Sequence, residues 1–349
     1  MKKIAFFQRN FGVGGIQRAL VSILDNLDYD KYKVDVYYCN ENMFYQLPEH
    51  ENLKFIYFKP FPYFTRFVPF GILKTLGKFP YSDEEYDVAV EFNSYSSECA
   101  VAALSVKAKK RVLWIHNDVK IKYSEEPKYR ILWNFFKGKF KYFDEFCAVS
   151  PGIIPSFREM TGLKDAKIST VQNFVDTELI FRQAQEETDF AVDNSVYNLC
   201  SVGRLCRQKG YDILLEDMAQ VVKNRKDIHL YLIGDGPDKE KLEEQRDKLG
   251  LSSYVSFLGN KKNPFPYVKQ MDGFALTSRY EGQGIVLWEA KSLGLELFMA
   301  ENLEKYNPGL VGTKDIAEAL SKAQKKKKTL DDLSEYNNNI KEQLQKLLS

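Results

Sequence analysis

Glu281-Gly282-Gln283-Gly284-Ile285-Val286-Leu287-Trp288-Glu289, followed by Ala290, is the stretch on which the reading of the fold turns. Gly273–Ser278, just upstream, reads as a short buried strand. Ile285, Leu287, Trp288 and Leu293 downstream read as a helix that stops near Gly294. Glu281 therefore falls in a strand-to-helix turn, and Glu289 falls about a turn and a half into the helix. The first N–H groups of a helix favour an anion, and glycines let a ligand approach the backbone closely. A carboxylate on each side suits a phosphorylated ligand that also carries hydroxyls, as a nucleotide sugar does. Taken alone, the pair is equally a helix with one exposed and one capping glutamate.

Working outward, the same unit recurs. Ile4–Phe7 is a short apolar run and Phe11-Gly12-Val13-Gly14-Gly15 a glycine-rich turn. Ile16, Ala19, Leu20, Ile23, Leu24 and Leu27 then follow at helical spacing. This opening belongs to a doubly wound sheet, whose ligand sits at the carboxyl ends of the strands. It is not a dinucleotide fingerprint, because Gln17 stands where G-x-G-x-x-G needs its third glycine. Further strands are expected at Val34–Cys39, Leu53–Phe58, Asp87–Phe92, Arg111–Ile115, Glu145–Val149 and Lys167–Gln172. Arg182–Asn194 is polar and acidic and reads as a linker. A second alternation has strands at Tyr197–Val202, His229–Ile233, Tyr254–Leu258, Gly273–Thr277 and Leu295–Met299, with helices near Tyr211–Val222 and Lys239–Leu249. The fold class is α/β, with two Rossmann-like domains expected at 1–180 and 195–349 to face each other across a cleft. For the tail from Ala317, with five lysines between Lys322 and Lys328, the alternatives are a helix packed on the first domain or a solvated charged helix.

Composition narrows the class. A chain of 349 residues, 44% hydrophobic, is long enough for two domains, and a net charge of +2 imposes no global field. Five scattered cysteines without a C-x-x-C pair argue for reduced, cytoplasmic thiols rather than a disulfide framework or zinc site. The N-terminal apolar run is too short for a signal peptide. No run of about 18 apolar residues exists to span a bilayer. The Asp28-Tyr29-Asp30 triplet is shaped like a metal-binding D-x-D but falls in the turn after the first helix, away from the ligand edge.

Strand Tyr197–Val202 runs into Gly203-Arg204-Leu205-Cys206-Arg207-Gln208-Lys209-Gly210, and a helix follows. Cations in a turn at a strand's carboxyl end suit a diphosphate: Arg binds bidentately and Lys adds a point charge. Leu232-Ile233-Gly234-Asp235-Gly236-Pro237 is a tight turn, with Pro at the first helical position. His116 ends the apolar run Val112–Ile115 on the ligand edge, whereas His50 and His229 look structural or exposed.

G-R-L-x4-G, L-I-G-D-G-P, V-S-F-L-G-N and S-R-Y-E-G-Q-G-I-V-L-W-E-A follow one another in an order and spacing that resemble the retaining GT-B glycosyltransferases of family four. G-V-G-G-I at Gly12–Ile16, W-I-H-N-D at Trp114–Asp118, V-S-P-G at Val149–Gly152 and N-F-V-D at Asn173–Asp176 are similar too; the resemblance spans roughly residues 3–300. It implies that Arg204 and Lys209 neutralise the diphosphate of a nucleotide sugar, UDP-linked by default. Glu289 would hold the ribose and Glu281 the sugar hydroxyls, with the amides of Gln283, Gly284 and Ile285 helping. Gly14 and Gly15 would admit the donor, and His116 would hydrogen-bond its sugar. Phe257, Leu258, Gly259 and Asn260 would line the base pocket. Transfer of a hexose or N-acetylhexosamine with retention is implied, with His116 and Glu281 at the reacting sugar and no metal or other cofactor. One departure stands out: Glu296-Leu297 replaces the family's Pro-Val, and only Glu301–Gly312 leads to the next helix.

For the acceptor, two stretches combine cations with aromatics. Lys59–Tyr81 contains Phe61, Tyr63, Phe64, Phe67, Phe70 and Phe79. Lys107–Lys141 carries eleven Lys or Arg against three acids, with Tyr129, Trp133, Phe135, Phe136 and Phe140 interleaved. Such stretches suit an anionic bilayer and a glycan or lipid-linked acceptor, and hence an enzyme of bacterial surface-polysaccharide synthesis on the cytoplasmic face of the membrane. Equally, the aromatics are core and the lysines a solvated face. Rival readings are a nonhydrolysing sugar-nucleotide epimerase, a nucleic-acid-binding module and an inactive GT-B scaffold. The first needs further acid/base groups, and the second has no use for Glu281 and Glu289. The third is disfavoured by the intact Arg204, Lys209 and Glu289, and no nucleic-acid partner is expected.

Overall fold

The computed structural model describes residues 1–12, 14–76 and 83–349; Val13, Lys78, Phe79 and Tyr81 of the stretches above lie outside them. The chain divides into two compact units, Met1–Phe174 with Glu335–Ser349, and Val175–Ser334. Unit one holds a seven-stranded sheet built from β1 (Lys2–Gln8), β2 (Tyr32–Tyr38), β3 (Leu53–Tyr57), β4 (Glu85–Glu91), β5 (Lys107–Ile115), β6 (Glu145–Ala148) and β7 (Ile168–Thr170). Their order is β3-β2-β1-β4-β5-β6-β7, and every pairing is parallel. Unit two holds β8 (Tyr197–Val202), β9 (Ile228–Ile233), β10 (Val255–Gly259), β11 (Gly273–Leu276) and β12 (Glu296–Met299). Their order is β10-β9-β8-β11-β12, again all parallel.

Continuous apolar runs explain this pairing, since parallel strands are covered on both faces. Ile4, Ala5, Phe6 and Phe7 of β1 are all buried, as are all four residues of β6. Helix Gly15–Asp25 lays down Ala19, Leu20, Ile23 and Leu24. Helix Tyr211–Asn224 buries Leu214, Leu215, Met218 and Val221 in the core of unit two. Each of these Leu, Ile, Met and Val side chains contributes about 1.5–3 kcal/mol by leaving water. In each sheet the first strand lies between neighbours reached in opposite directions: β1 between β2 and β4, β8 between β9 and β11. These are the topological switch points, and ligands of doubly wound sheets bind at the strands' carboxyl ends there.

Three sequence expectations need correction. The boundary expected at 180 falls inside helix Thr177–Gln183, which belongs to unit two because Asn263 Nδ2 donates to the Gln183 carbonyl at 2.9 Å. The polar stretch read as a linker is packed as well. Phe190 sits against Tyr231 and Tyr267, with ring centroids 5.3 and 5.4 Å away, and its carbonyl accepts from Gln270 Nε2. Its acidic neighbours obscured that aromatic anchor. Finally, residues 323–333 are not helical: Lys325 and Lys326 pair with Asp272 and Glu296, and Lys328 Nζ donates to the Met271 carbonyl. The helix begins only at Ser334. It buries Ile340, Leu344, Leu347 and Leu348 in unit one, where Gln343 Oε1 accepts the Gln172 N–H at 3.2 Å.

Candidate active site

In unit two the turn after β8 and the turn after β11 lie against each other. Gly210, at φ 66°, ends the Arg207–Lys209 turn; a Cβ there would sit 2.1 Å from the Thr277 carbonyl oxygen. Only glycine permits that approach. Thr277 Oγ1 donates to the Gly210 carbonyl at 2.8 Å, the Arg279 N–H to the Gln208 carbonyl at 2.8 Å, and Gln208 Nε2 to the Tyr280 carbonyl at 3.1 Å. Arg279 forks onto Asp212 at 2.8 and 2.6 Å and so ties the second turn to helix Tyr211–Asn224. Gly234 brings the turn after β9 onto the same edge: a Cβ would meet the Gly203 carbonyl oxygen at 1.9 Å.

This stitching brings Lys209 and Glu281 together. Lys209 Nζ lies 2.7 Å from Glu281 Oε1, which also accepts from Ser278 Oγ at 2.7 Å. Glu281, Gln283 and Glu289 are buried, whereas Arg204 is exposed and its guanidinium has no acidic partner among the described residues. The expected anion hole at Gly282–Gly284 is largely closed from inside the chain. The Gly284 N–H donates to Asn307 Oδ1 at 2.9 Å, and the Ile285 N–H to the Gln283 carbonyl at 3.0 Å. Asn307 is fully buried and anchored by its own Nδ2 on the Leu303 carbonyl. It lies in the shortened segment after β12 and gave no sequence signal, whereas Ser278 stood inside the quoted motif.

Phe257, Leu258 and Gly259 end β10, the strand at the far side of this sheet from β12. The Gly259 carbonyl accepts the Gly234 N–H at 2.9 Å, which joins that turn to the same carboxyl edge; Asn260 is exposed beyond it. A cavity of about 610 Å³ in unit two is lined by Ser278, Arg279, Asp217, Asn302 and Asp315 among others. It shares Ser278 with the Glu281 cluster, but Arg204, Lys209, Gln283 and Glu289 do not line it. Burial, Asp315 and Glu216 push the Asp217 carboxyl up to about 6.

Unit one presents a second set at its own switch point. The Gly14 N–H and carbonyl meet the Tyr45 hydroxyl at 3.4 and 3.3 Å. A Cβ on Gly15 would meet open space, so the chain's own packing does not demand glycine there. His116 follows β5 and is buried. Its Nε2 lies 2.7 Å from the Phe92 carbonyl oxygen, and its ring stacks on Trp114 at 6.3 Å. A carbonyl only accepts, so Nε2 carries the proton and Nδ1 keeps its lone pair. Burial lowers the imidazole pKa to about 4, which keeps this tautomer neutral.

Behind Phe92 stands an ion pair that no sequence signal announced. Lys139 Nζ reaches Glu91 Oε2 at 3.2 Å and the carbonyls of Ser94 and Ser96 at 2.7 and 3.4 Å, and both charged side chains are fully buried. Glu91 Oε1 accepts the Ser94 N–H at 2.9 Å, and Ser94 holds φ 66°. Burial pushes the Glu91 carboxyl up, against the pull of Lys139. Of the aromatics in Lys107–Lys141, Trp114, Tyr129, Trp133, Phe136 and Phe140 are buried. Those five rings are core, whereas Ile131 is exposed and Phe135 half-buried on helix Pro127–Phe136. His50 is exposed against Tyr29, and His229 is bonded to Ser256. Asp28 pairs with Lys31 at 2.7 Å.

Family models match nearly the whole chain in two blocks: Glycosyltransferase Family 4 over residues 13–179 and Glycosyl transferases group 1 over residues 184–340. The chain belongs to the GT-B glycosyltransferases of family four. A glycosyltransferase from Methanocaldococcus jannaschii, MJ1059, is 27% identical over 195 residues, 55% of this chain and only about half (48%) of that protein. A Campylobacter jejuni N-acetylgalactosaminyltransferase acting on a diphospho-undecaprenol glycan is 25% identical over 308 residues, 83% of this chain and 78% of that protein. Among solved structures, Anabaena HepE with UDP and glucose superposes with a TM-score of 0.68 at 19% identity, covering 100% of this chain and 99% of that one.

Proposed function

We propose that this glycosyltransferase moves a hexose or N-acetylhexosamine, with retention, from a UDP-sugar to a glycan or lipid-linked acceptor in bacterial surface-polysaccharide synthesis. The observation that carries the reading is the Lys209–Glu281–Ser278 cluster at the carboxyl edge of the second sheet, in the same turn region as the exposed Arg204, which has no acidic partner among the described residues. Arg204 and Lys209 take the diphosphate and stabilise the charge that grows on it as the C1–O bond breaks. Lys209 is then drawn from Glu281, whose freed oxygen accepts from a sugar hydroxyl. Glu289 takes the ribose, Gly259 and its neighbours the base, and Gly14 and Gly15 give the donor room. His116 accepts a sugar hydroxyl at Nδ1. The acceptor oxygen bonds to C1 on the face that the diphosphate leaves, and its proton passes to a phosphate oxygen. Support comes from HepE, described with UDP and glucose, and from relatives named for lipopolysaccharide core synthesis and for diphospho-undecaprenol glycans.

The test is a thermal-shift panel of nucleoside diphosphates and their sugars, paired with slow UDP-sugar hydrolysis. Ligand at a hundred times its Kd stabilises the folded state by about 2.7 kcal/mol. UDP should raise the melting temperature of the parent, and Lys209→Ala should abolish both the shift and the hydrolysis. A panel in which no nucleoside diphosphate shifts the parent overturns the proposal.

A further inference from the structure

We propose that the face formed by the turn Tyr63–Phe67 and the helix Phe70–Leu76 of unit one docks onto an anionic lipid bilayer. This rests on the lipid-linked acceptor named above, which would present its sugar at such a surface. The turn buries none of its five residues, and Tyr63, Phe64 and Phe67 are 64%, 66% and 47% exposed. The helix satisfies the core through Phe70 and Leu73 alone; Ile72 and Leu76 point out at 49% and 75%. Phe67 meets Phe135 with centroids 5.8 Å apart, and Ile131, one helical turn earlier, is 57% exposed, so the patch continues onto helix Pro127–Phe136. Neighbouring exposed apolar side chains on this scale mark an interaction surface.

Charge identifies the occupant. From Asn52 to Ser82 the sequence holds Lys54, Lys59, Arg66, Lys74 and Lys78 and no acid, and from Pro127 to Phe143 it again holds none. Arg66 lies over Tyr63 at 4.5 Å, and Lys74 and Lys141 flank Tyr142 at 4.6 and 5.1 Å. A second copy docked by a two-fold axis would set these cations against themselves, with no carboxylate in either stretch to compensate. Aromatic side chains ringed by Lys and Arg match instead the headgroup level of a bilayer that carries negative lipid.

The experiment is co-sedimentation of the full chain with phosphatidylcholine vesicles, with and without roughly one-third phosphatidylglycerol. The expected result is sedimentation with the anionic vesicles alone. Phe64→Ser/Phe67→Ser and Arg66→Gln/Lys74→Gln should each weaken the partitioning about tenfold or more, whereas Val311→Ser, a still more exposed apolar site in unit two, should not. Equal binding to both vesicles, or parent-like binding by both double variants, overturns the proposal. So does a dimer that Phe64→Ser/Phe67→Ser dissociates while vesicles stay unbound. UDP-induced thermal shifts of the same proteins separate the two readings. A parent that binds vesicles but never UDP keeps the docking face and loses the nucleotide-sugar reading, and the reverse result does the opposite.

Discussion

Lys139→Met removes the only cation within reach of Glu91 among the described residues and strips the Ser94 and Ser96 carbonyls of a shared donor. Both partners are fully buried, so water does not replace the lost ammonium. Breaking such a pair from one side costs about 3–5 kcal/mol, because a charge is left buried alone. The double variant Lys139→Met/Glu91→Gln removes both charges, and its amide oxygen still accepts the Ser94 N–H. The Ser94 carbonyl is left without its donor, at about 1–3 kcal/mol, whereas the Ser96 carbonyl keeps the Ala100 N–H at 3.3 Å. The double variant should therefore be more stable than Lys139→Met, a coupling of at least about 2 kcal/mol against additivity. Unfolding in urea is followed by tryptophan fluorescence in a Trp288→Phe background, in which Trp114 and Trp133 report unit one alone. Because the same turn presents the Phe92 carbonyl to His116, the double variant should fold yet transfer sugar more slowly. A single variant within about 1 kcal/mol of the parent, or strictly additive singles, refutes the reasoning.

Three further outcomes follow from geometry. The His116 imidazole is neutral in the folded chain down to about pH 4, while the unfolded one takes its proton near the ordinary value of 6.5. Its share of stability is therefore complete above pH 6.5 and is lost towards pH 4, about 3 kcal/mol in all; His116→Asn should flatten the melting temperature over that window. Asp217 has the opposite sign: its raised carboxyl pKa leaves a penalty absent below about pH 4 and complete above about pH 6. Solvent at this half-buried group trims the penalty to about 1–2 kcal/mol, so Asp217→Asn should stabilise at pH 7 but not at pH 4, as calorimetry would show. Gly210→Ala drives a Cβ into the Thr277 carbonyl at φ 66° and should cost about 3 kcal/mol or more, read as an early loss of Trp288 fluorescence.

Strand positions and their alternation with helices were legible because apolar runs and glycine turns are local signals. Tyr197–Val202 and the glycine–arginine turn beyond it stand where the spacing put them. What the spacing could not show is who answers whom across the chain. Lys209 and Glu281 are 72 positions apart, and each alone is an ordinary surface type. Their 2.7 Å contact exists because Gly210 and Thr277 touch. Asn307 was invisible for the same reason, and with it the fact that the Gly284 amide assigned to an anion is already engaged. Aromatic content misled in the opposite direction, since Trp133, Phe136 and Phe140 read identically whether buried or exposed. Only the packing separates them from Phe64 and Phe67.

The Lys209–Glu281 pair gives the reading its most discriminating consequence. Without ligand the ammonium is neutralised by a carboxylate 2.7 Å away, with side chains only 18% and 7% exposed. A diphosphate must then displace Glu281 and also bear its charge nearby. Glu281→Gln keeps the shape and the Ser278 contact but removes that competition. UDP itself should therefore bind more tightly, by about tenfold for a partly buried charge pair, while sugar transfer falls because the amide is a poorer acceptor for the sugar hydroxyls. A residue that merely braces the turn would show weaker UDP binding together with slower transfer. Calorimetric titration of UDP into the parent and Glu281→Gln, beside kcat for each, distinguishes the two; weaker or unchanged UDP affinity in the variant would remove Glu281 from the donor site.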